Sequence, residues 1–184
     1  MFHMILEFLA DGFEEIEALT PVDVLRRAGL DVKTAAVGDS LVVRGSHGIP
    51  VTADMKAEDA LSLEGIDMVI LPGGMPGAKN LDADPTVDAV LGRVHAEGGI
   101  LAAICAAPMV FGRRGYLNGK RATCFPGFEG ELAGAEYTAG RVEEDGRIVT
   151  ACGMGAATEF ALALVRTLKG GEAAEALRSA ILAK

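Results

Sequence analysis

The chain has 184 residues, 50% hydrophobic but only 5% aromatic, and a formal net charge of −9. That length fits one domain with a core built from Ala, Val, Leu and Ile. The acidic balance, without a basic stripe, excludes a nucleic-acid or anionic-membrane surface, and no apolar run reaches the ~18 residues of a membrane span.

The start, Met1-Phe2-His3-Met4-Ile5-Leu6-Glu7, has no basic n-region and carries an early glutamate, so no signal peptide is expected. Met4 to Leu9 is predicted as a first strand, closed by Ala10-Asp11-Gly12. Glu7 is out of place there, because a buried carboxylate is costly unless paired or protonated. Glu14 to Ala28 is predicted as a helix, with Ile16, Leu19, Val22, Val24 and Leu25 as its apolar face and Gly29 as its stop. Pro21 is expected to interrupt or kink it. Glu14, Glu15 and Glu17 crowd its first turn, where carboxylates suit the helix dipole. Glu17, between Ile16 and Ala18, is the one that can face inward.

Asp31 to Val37 is the second predicted strand. Leu41 to Arg44 and Ile49 to Val51 form a short antiparallel pair around Gly45-Ser46-His47-Gly48. Asp67 to Leu71 is a buried strand that ends in Pro72-Gly73-Gly74-Met75-Pro76-Gly77, and Thr86 to Glu97 is the next helix. Later strands are placed at 121–124, 141–143 and 147–151, and later helices at 155–168 and 172–182. No repeat, low-complexity tract or linker breaks the series. Alternating buried strands and helices specify a three-layer α/β sandwich around a mostly parallel sheet, one domain over residues 1–184.

The chemistry centres on Gly98-Gly99-Ile100-Leu101-Ala102-Ala103-Ile104-Cys105-Ala106-Ala107-Pro108. Five apolar residues make a buried strand, and Pro108 suits the first turn of a helix beginning just after Cys105. The thiol thus stands on a sharp strand-to-helix turn, like a nucleophile elbow with cysteine in place of serine. A helix N-terminus there is expected to lower its pKa below the ordinary value of about 8.5. The alternative is a small buried core cysteine. Gly73 and Gly74, at another strand end, leave the backbone open to act as an oxyanion hole. The loop is not a phosphate-binding one, since no Gly-Lys-Ser/Thr ends it. Gly153-Met154-Gly155 lacks the rest of a dinucleotide fingerprint and is set aside. Of the histidines, His3 is near a terminus, His95 reads as a surface or packing residue, and His47 is the candidate neighbour of the site. Cys105, Cys124 and Cys152 are odd in number and without CxxC spacing, which argues against a disulfide framework and a zinc site. A reducing, cytoplasmic setting follows.

Leu9-Ala10-Asp11-Gly12-Phe13-Glu14-Glu15-Ile16-Glu17, Val69-Ile70-Leu71-Pro72-Gly73-Gly74 and Ala102-Ala103-Ile104-Cys105-Ala106-Ala107-Pro108 stand in one order and spacing. With Pro21 to Gly29 and Glu159 to Ala163, they make the chain resemble the ThiJ/PfpI superfamily, in the branch of the parkinsonism-associated protein deglycase. The resemblance implies a flavodoxin-like fold, a homodimer with its interface near the Glu17 helix, and no cofactor or metal. It implies Cys105 as nucleophile, Glu17 as its protonated partner, and the Gly74 and Ala106 amides as oxyanion donors. The implied substrates are small reactive carbonyls such as methylglyoxal, or glycated adducts. The alternative role is an oxidative-stress sensor or redox-regulated chaperone acting through Cys105. Phe125-Pro126 stands where some members carry a histidine before the proline, and His47 where an arginine is frequent. Ala106, rather than histidine, follows Cys105, which argues against a peptidase.

Overall fold

The computed structural model describes residues 4–184; His3 and the rest of the first three residues lie outside the described residues. The chain runs through β1 (Met4–Leu9), α1 (Glu15–Arg27), β2 (Asp31–Ala36), β3 (Val42–Arg44), β4 (Pro50–Thr52) and β5 (Met55–Lys56). After a 3₁₀ helix (Ala57–Ser62) come β6 (Ile66–Leu71), α2 (Gly77–Ala83), α3 (Pro85–Ala96), β7 (Ile100–Ile104) and α4 (Pro108–Arg113). Then follow β8 (Arg121–Ala122), β9 (Glu136–Tyr137), β10 (Val142–Asp145), β11 (Ile148–Ala151), α5 (Ala157–Lys169) and α6 (Gly171–Ala180).

Local rules account for most boundaries. Glu14 caps α1 by accepting the Glu17 N–H at 2.7 Å, and Arg26 and Arg27 occupy its last turn. Asp84 caps α3 through the N–H groups of Thr86 and Val87, and Pro85 opens that helix. α2 escapes a pattern search because it buries only Gly77, Ala78 and Leu81 and has no side-chain cap.

Seven strands form the main sheet in the order β10-β11-β7-β6-β1-β2-β5, all parallel except the β10–β11 hairpin. α3 lays Val87, Val90, Leu91 and Val94 on one face, joined by Val110 and Phe111 of α4. α1 and α5 cover the other face with Val22, Leu25, Phe160 and Leu164, and α6 adds Ala174. This is the expected three-layer, mostly parallel α/β sandwich. From β1 the chain moves outward through β2 to β5, then returns to β6 on β1's other side. The loops leaving β1 and β6 therefore diverge, and open α/β sheets hold their ligand crevice at that switch point.

Three local expectations are corrected. Ile16 and Leu19 are exposed, because the inward side of α1 is taken by Glu17, Ala18, Pro21, Val22, Val24 and Leu25. α1 also runs unbroken through Pro21, which merely leaves the Glu17 carbonyl without its N–H four residues on. Beyond β7, residues 105–107 form a turn, so the helix starts at Pro108 and is only six residues long.

Glu7 sits mid-strand in β1, opposite Thr34 on one side and Ile70 on the other, fully buried. Neither carboxyl oxygen has a hydrogen-bond partner among the described residues. Burial lifts its pKa well above the ordinary range, while the charge of Arg26 pulls the other way.

Candidate active site

Cys105 ends β7 with φ at +66°, a left-handed conformation that costs a non-glycine residue about 1–3 kcal/mol. Two main-chain hydrogen bonds hold it there. Its N–H donates to the Ala151 carbonyl, and its carbonyl accepts from the Phe125 N–H, both at 2.8 Å. The strained turn projects the thiol from the strand end, as the elbow reading requires.

Glu17, only 1% exposed, comes down onto the thiol from the first turn of α1. Its Oε2 accepts the Gly73 N–H at 3.0 Å. Its Oε1 has no partner of ordinary hydrogen-bond geometry among the described residues. A Cβ on Gly73 would lie 2.5 Å from Glu17 Oε2 and 2.6 Å from Cys105 Cβ, so only glycine fits between carboxyl and thiol. Gly74, with φ at +86°, faces the Gly12–Glu14 backbone just as tightly.

Burial pushes the Glu17 carboxyl up to about 7, and the Cys105 thiol and the N–H groups of Gly73 and Met154 pull it down. Glu14 adds to the upward push. Burial, then the charge of Glu17, pushes the thiol up to about 12, against the N–H groups of Ala106 and Gly74. The expected lowering of the thiol by a helix N-terminus is thus corrected: α4 is short and begins two residues late, and burial beside a carboxyl outweighs it. The two groups titrate as a pair. Below about 7 they hold two protons, and between about 7 and 12 they share one. With that proton on Glu17, the sulfur is a thiolate facing the Gly74 and Ala106 amides.

The structure therefore brings Cys105, Glu17, Gly73, Gly74 and Ala106 together, with one change of part. The Gly73 amide holds the Glu17 carboxyl and is not free for an oxyanion. His47 has a different partner. Its main-chain N–H and ring Nδ1 meet the two oxygens of the buried Glu15 at 2.8 and 2.9 Å, and Ser46 Oγ meets Glu15 Oε2 at 3.3 Å. Burial works against the Glu15 carboxylate, but these bonds hold it down to about 2. The His47 ring is raised in turn by its hydrogen bond to Glu15. Glu14, Glu15 and His47 also bring their ligand atoms within 4.8 Å of one another, though Glu15 and His47 already engage each other. His95, at the far end of α3, stacks on Tyr116 at 4.4 Å, the packing role expected of it.

Phe125, which the resemblance brought to the site in place of a histidine, is there, and so are Gly153 and Met154, which had been set aside. A Cβ on Gly153 would lie 3.2 Å from the Phe125 ring and 4.0 Å from Glu17 Oε1. The sequence signal was a glycine two residues past a buried strand, obscured by comparison with a dinucleotide motif. Cys124 is fully buried, with its thiol raised to about 11 chiefly by burial, and Cys152 is half-buried.

Residues 3–167 match the DJ-1/PfpI family. A Parkinson disease protein 7 homolog of Danio rerio is 37% identical over 97% of this chain and 96% of its own length. A Caenorhabditis elegans protein named glutathione-independent glyoxalase DJR-1.2 is 34% identical over 89% of this chain and 87% of its own. The structure of oxidized Toxoplasma gondii DJ-1 superposes with a TM-score of 0.93 at 36% identity, covering 98% of each chain. A thiol on a strained strand end, a buried carboxyl against it and this extent of similarity lead to one assignment: the chain belongs to the DJ-1/PfpI family.

Proposed function

We propose that the protein is a cofactor-independent cysteine enzyme acting on reactive carbonyls, converting methylglyoxal to lactate or removing methylglyoxal adducts. The observation that carries this reading is the Cys105–Glu17 pair: a half-buried thiol on a strained strand end with a buried carboxyl against it, and the Gly74 and Ala106 amides beside the sulfur. The name of the nematode relative supports the glyoxalase form of the reaction.

The thiolate adds to the aldehyde carbon, and the new alkoxide forms against the two amides. Each well-placed donor of this kind contributes roughly 2.7–4 kcal/mol of transition-state stabilisation. Protonation of that oxygen gives a hemithioacetal. Glu17, its pKa lifted into the range useful for proton transfer, removes the proton from the former aldehyde carbon and returns one to the neighbouring carbon. The product is a lactoyl thioester on Cys105. Water cleaves it to lactate, and the thiol regains its proton.

The test is lactate formation by freshly reduced protein with EDTA and without glutathione. Turnover is expected in the wild type and absent in Cys105→Ser. A reduced but inert wild type would overturn the enzyme reading in favour of an oxidation sensor at Cys105. Retention of wild-type turnover in Cys105→Ser would remove the thiol from the mechanism altogether.

We infer a homodimer through the outer side of α1. Ile16 and Leu19 line a groove of about 840 Å³ with Ile49 and Leu182, an exposed apolar face that a symmetric partner would cover. Light scattering showing only the 19.0 kDa monomer at micromolar concentration would reject this. Among the described residues no helix is long and apolar enough to cross a membrane. Three unpaired cysteines support a reducing, cytoplasmic location.

A further inference from the structure

The rim of the Cys105–Glu17 pair is apolar. Phe125 and Met154 are 47% and 50% exposed, although both are large hydrophobic residues. Phe125 is tied to the pair through its main chain, its N–H donating to the Cys105 carbonyl. Met154 follows Gly153 in the chain, its N–H close enough to the Glu17 carboxyl to pull its pKa down. The Phe125 ring also lies over Gly153, the glycine nearest Glu17 Oε1. Single exposed hydrophobic residues are ordinary, but an exposed ring bonded through its backbone to the reactive cysteine and lying over the glycine beside Glu17 is placed to meet whatever the thiol binds. Glu14, a second carboxylate outside the pair, acts on Glu17 by its charge.

We propose that Phe125 and Met154 wall a substrate subsite that selects uncharged 2-oxoaldehydes carrying an apolar substituent on the ketone carbon. Glyoxal, which has no substituent, leaves the wall unused. Anionic 2-oxo acids meet the like charge of Glu14 and Glu17. The proposal rests on Cys105 as the nucleophile. It goes beyond that assignment by naming what the substituent touches.

Two measurements test the wall separately from catalysis. The first compares kcat/KM for phenylglyoxal and glyoxal in wild type, Phe125→Ala, Phe125→Leu and Leu61→Ala, the last altering an exposed leucine on the 57–62 helix. The wild-type preference for phenylglyoxal should fall about tenfold in Phe125→Ala, the scale on which an apolar pocket discriminates. It should survive in Phe125→Leu and in Leu61→Ala. The second follows alkylation of Cys105 by N-benzylmaleimide against unsubstituted maleimide, normalised to the same ratio for free glutathione. This ratio should also fall in Phe125→Ala, and it needs no turnover. If neither 2-oxoaldehyde is converted but the alkylation ratio behaves as stated, the wall stands and the enzyme reading fails. If the Phe125→Ala ratios match the wild type in the available measurements, the wall is overturned whether or not the protein turns over.

Discussion

Glu7 and Glu17 lie in one β–α unit, are both buried and are both pushed upward in pKa by burial first. One stands in the middle of β1, where neither oxygen has a hydrogen-bond partner among the described residues. The other stands past the strand's end, at the switch point, where Gly73 donates to its carboxyl and a thiol lies against it. Burial alone therefore makes a neutral acid and nothing more. A neutral acid becomes chemically useful only with a group to exchange its proton with and a route for substrate, and the strand ends supply both.

The comparison breaks most visibly on turnover. Glu17→Gln keeps the shape of the carboxyl but cannot carry a proton, so kcat/KM for methylglyoxal should fall on the order of 10²–10⁴-fold. Lactate release measured in steady state decides this, and a change of less than a few-fold would make Glu17 another Glu7. Gly73→Ala attacks the same pair through space. Its Cβ would need room occupied by Glu17 Oε2 and Cys105 Cβ. Activity should drop by about two orders of magnitude as the carboxyl and thiol are pushed from the geometry the reaction requires. Unchanged turnover in this variant would show that the close contact of the pair is dispensable.

The pH profile sharpens the same contrast. In the wild type, alkylation of Cys105 should rise with pH through about 7, where the pair loses its first proton, and again toward about 12. Glu17→Gln should lose the first step. Its remaining step should fall below 12, because the carboxylate charge is gone while burial stays. A step near 7 that persists in the variant belongs to some other group.

Glu7 answers to stability instead. Its folded pKa lies above the ordinary 4.5, so the unfolded chain ionises first as pH rises. Its contribution is thus fully present below about 4.5 and is lost progressively as pH climbs toward the folded value. Glu7→Gln should flatten that slope in urea titrations between pH 5 and 8. Glu7→Leu, which fills the site without an unsatisfied acid, should stabilise the fold at pH 7 by about 1–3 kcal/mol, or some 2–4 °C in Tm per kcal/mol. A loss of stability in Glu7→Leu would mean that the carboxyl is satisfied after all.

Much of this was legible in the residues. Met4–Leu9 and Ile100–Ile104 announce themselves as apolar runs closed by turn signals, and Cys105 before a proline marked the elbow. Glu17 was readable as inward only because of its place beside Ile16 and Ala18. What the sequence hid was long-range. Nothing local says that Phe125 returns to Cys105, 20 positions upstream, through a main-chain bond, or that Gly153 comes to lie beside Phe125 and Glu17. The rise of the thiol pKa was hidden for the same reason. It depends on a carboxyl delivered from α1, whereas the helix N-terminus expected to lower it was a local inference.

His47 gives the smallest effect and the finest discrimination. As a residue of the site it would act on substrate. In the structure it is spent on Glu15, whose two oxygens take its main-chain and ring nitrogens. The Glu15 carboxylate is held at about 2, so its contribution is present above about 4.5 and lost as pH falls through about 2. The His47 ring is raised above 6.5, so its contribution is present below 6.5 and lost as pH rises through the raised value. The pair therefore helps the fold most between about 4.5 and 6.5, and less as pH rises from there through the raised value. His47→Ala should reduce stability chiefly within this window, seen as a narrowed pH plateau in thermal melts. Its turnover should change by less than about threefold, the scale of an exposed ion pair. A fall in kcat/KM of tenfold or more with an unaltered pH plateau would return His47 to the substrate and make Glu15 its anchor rather than its purpose.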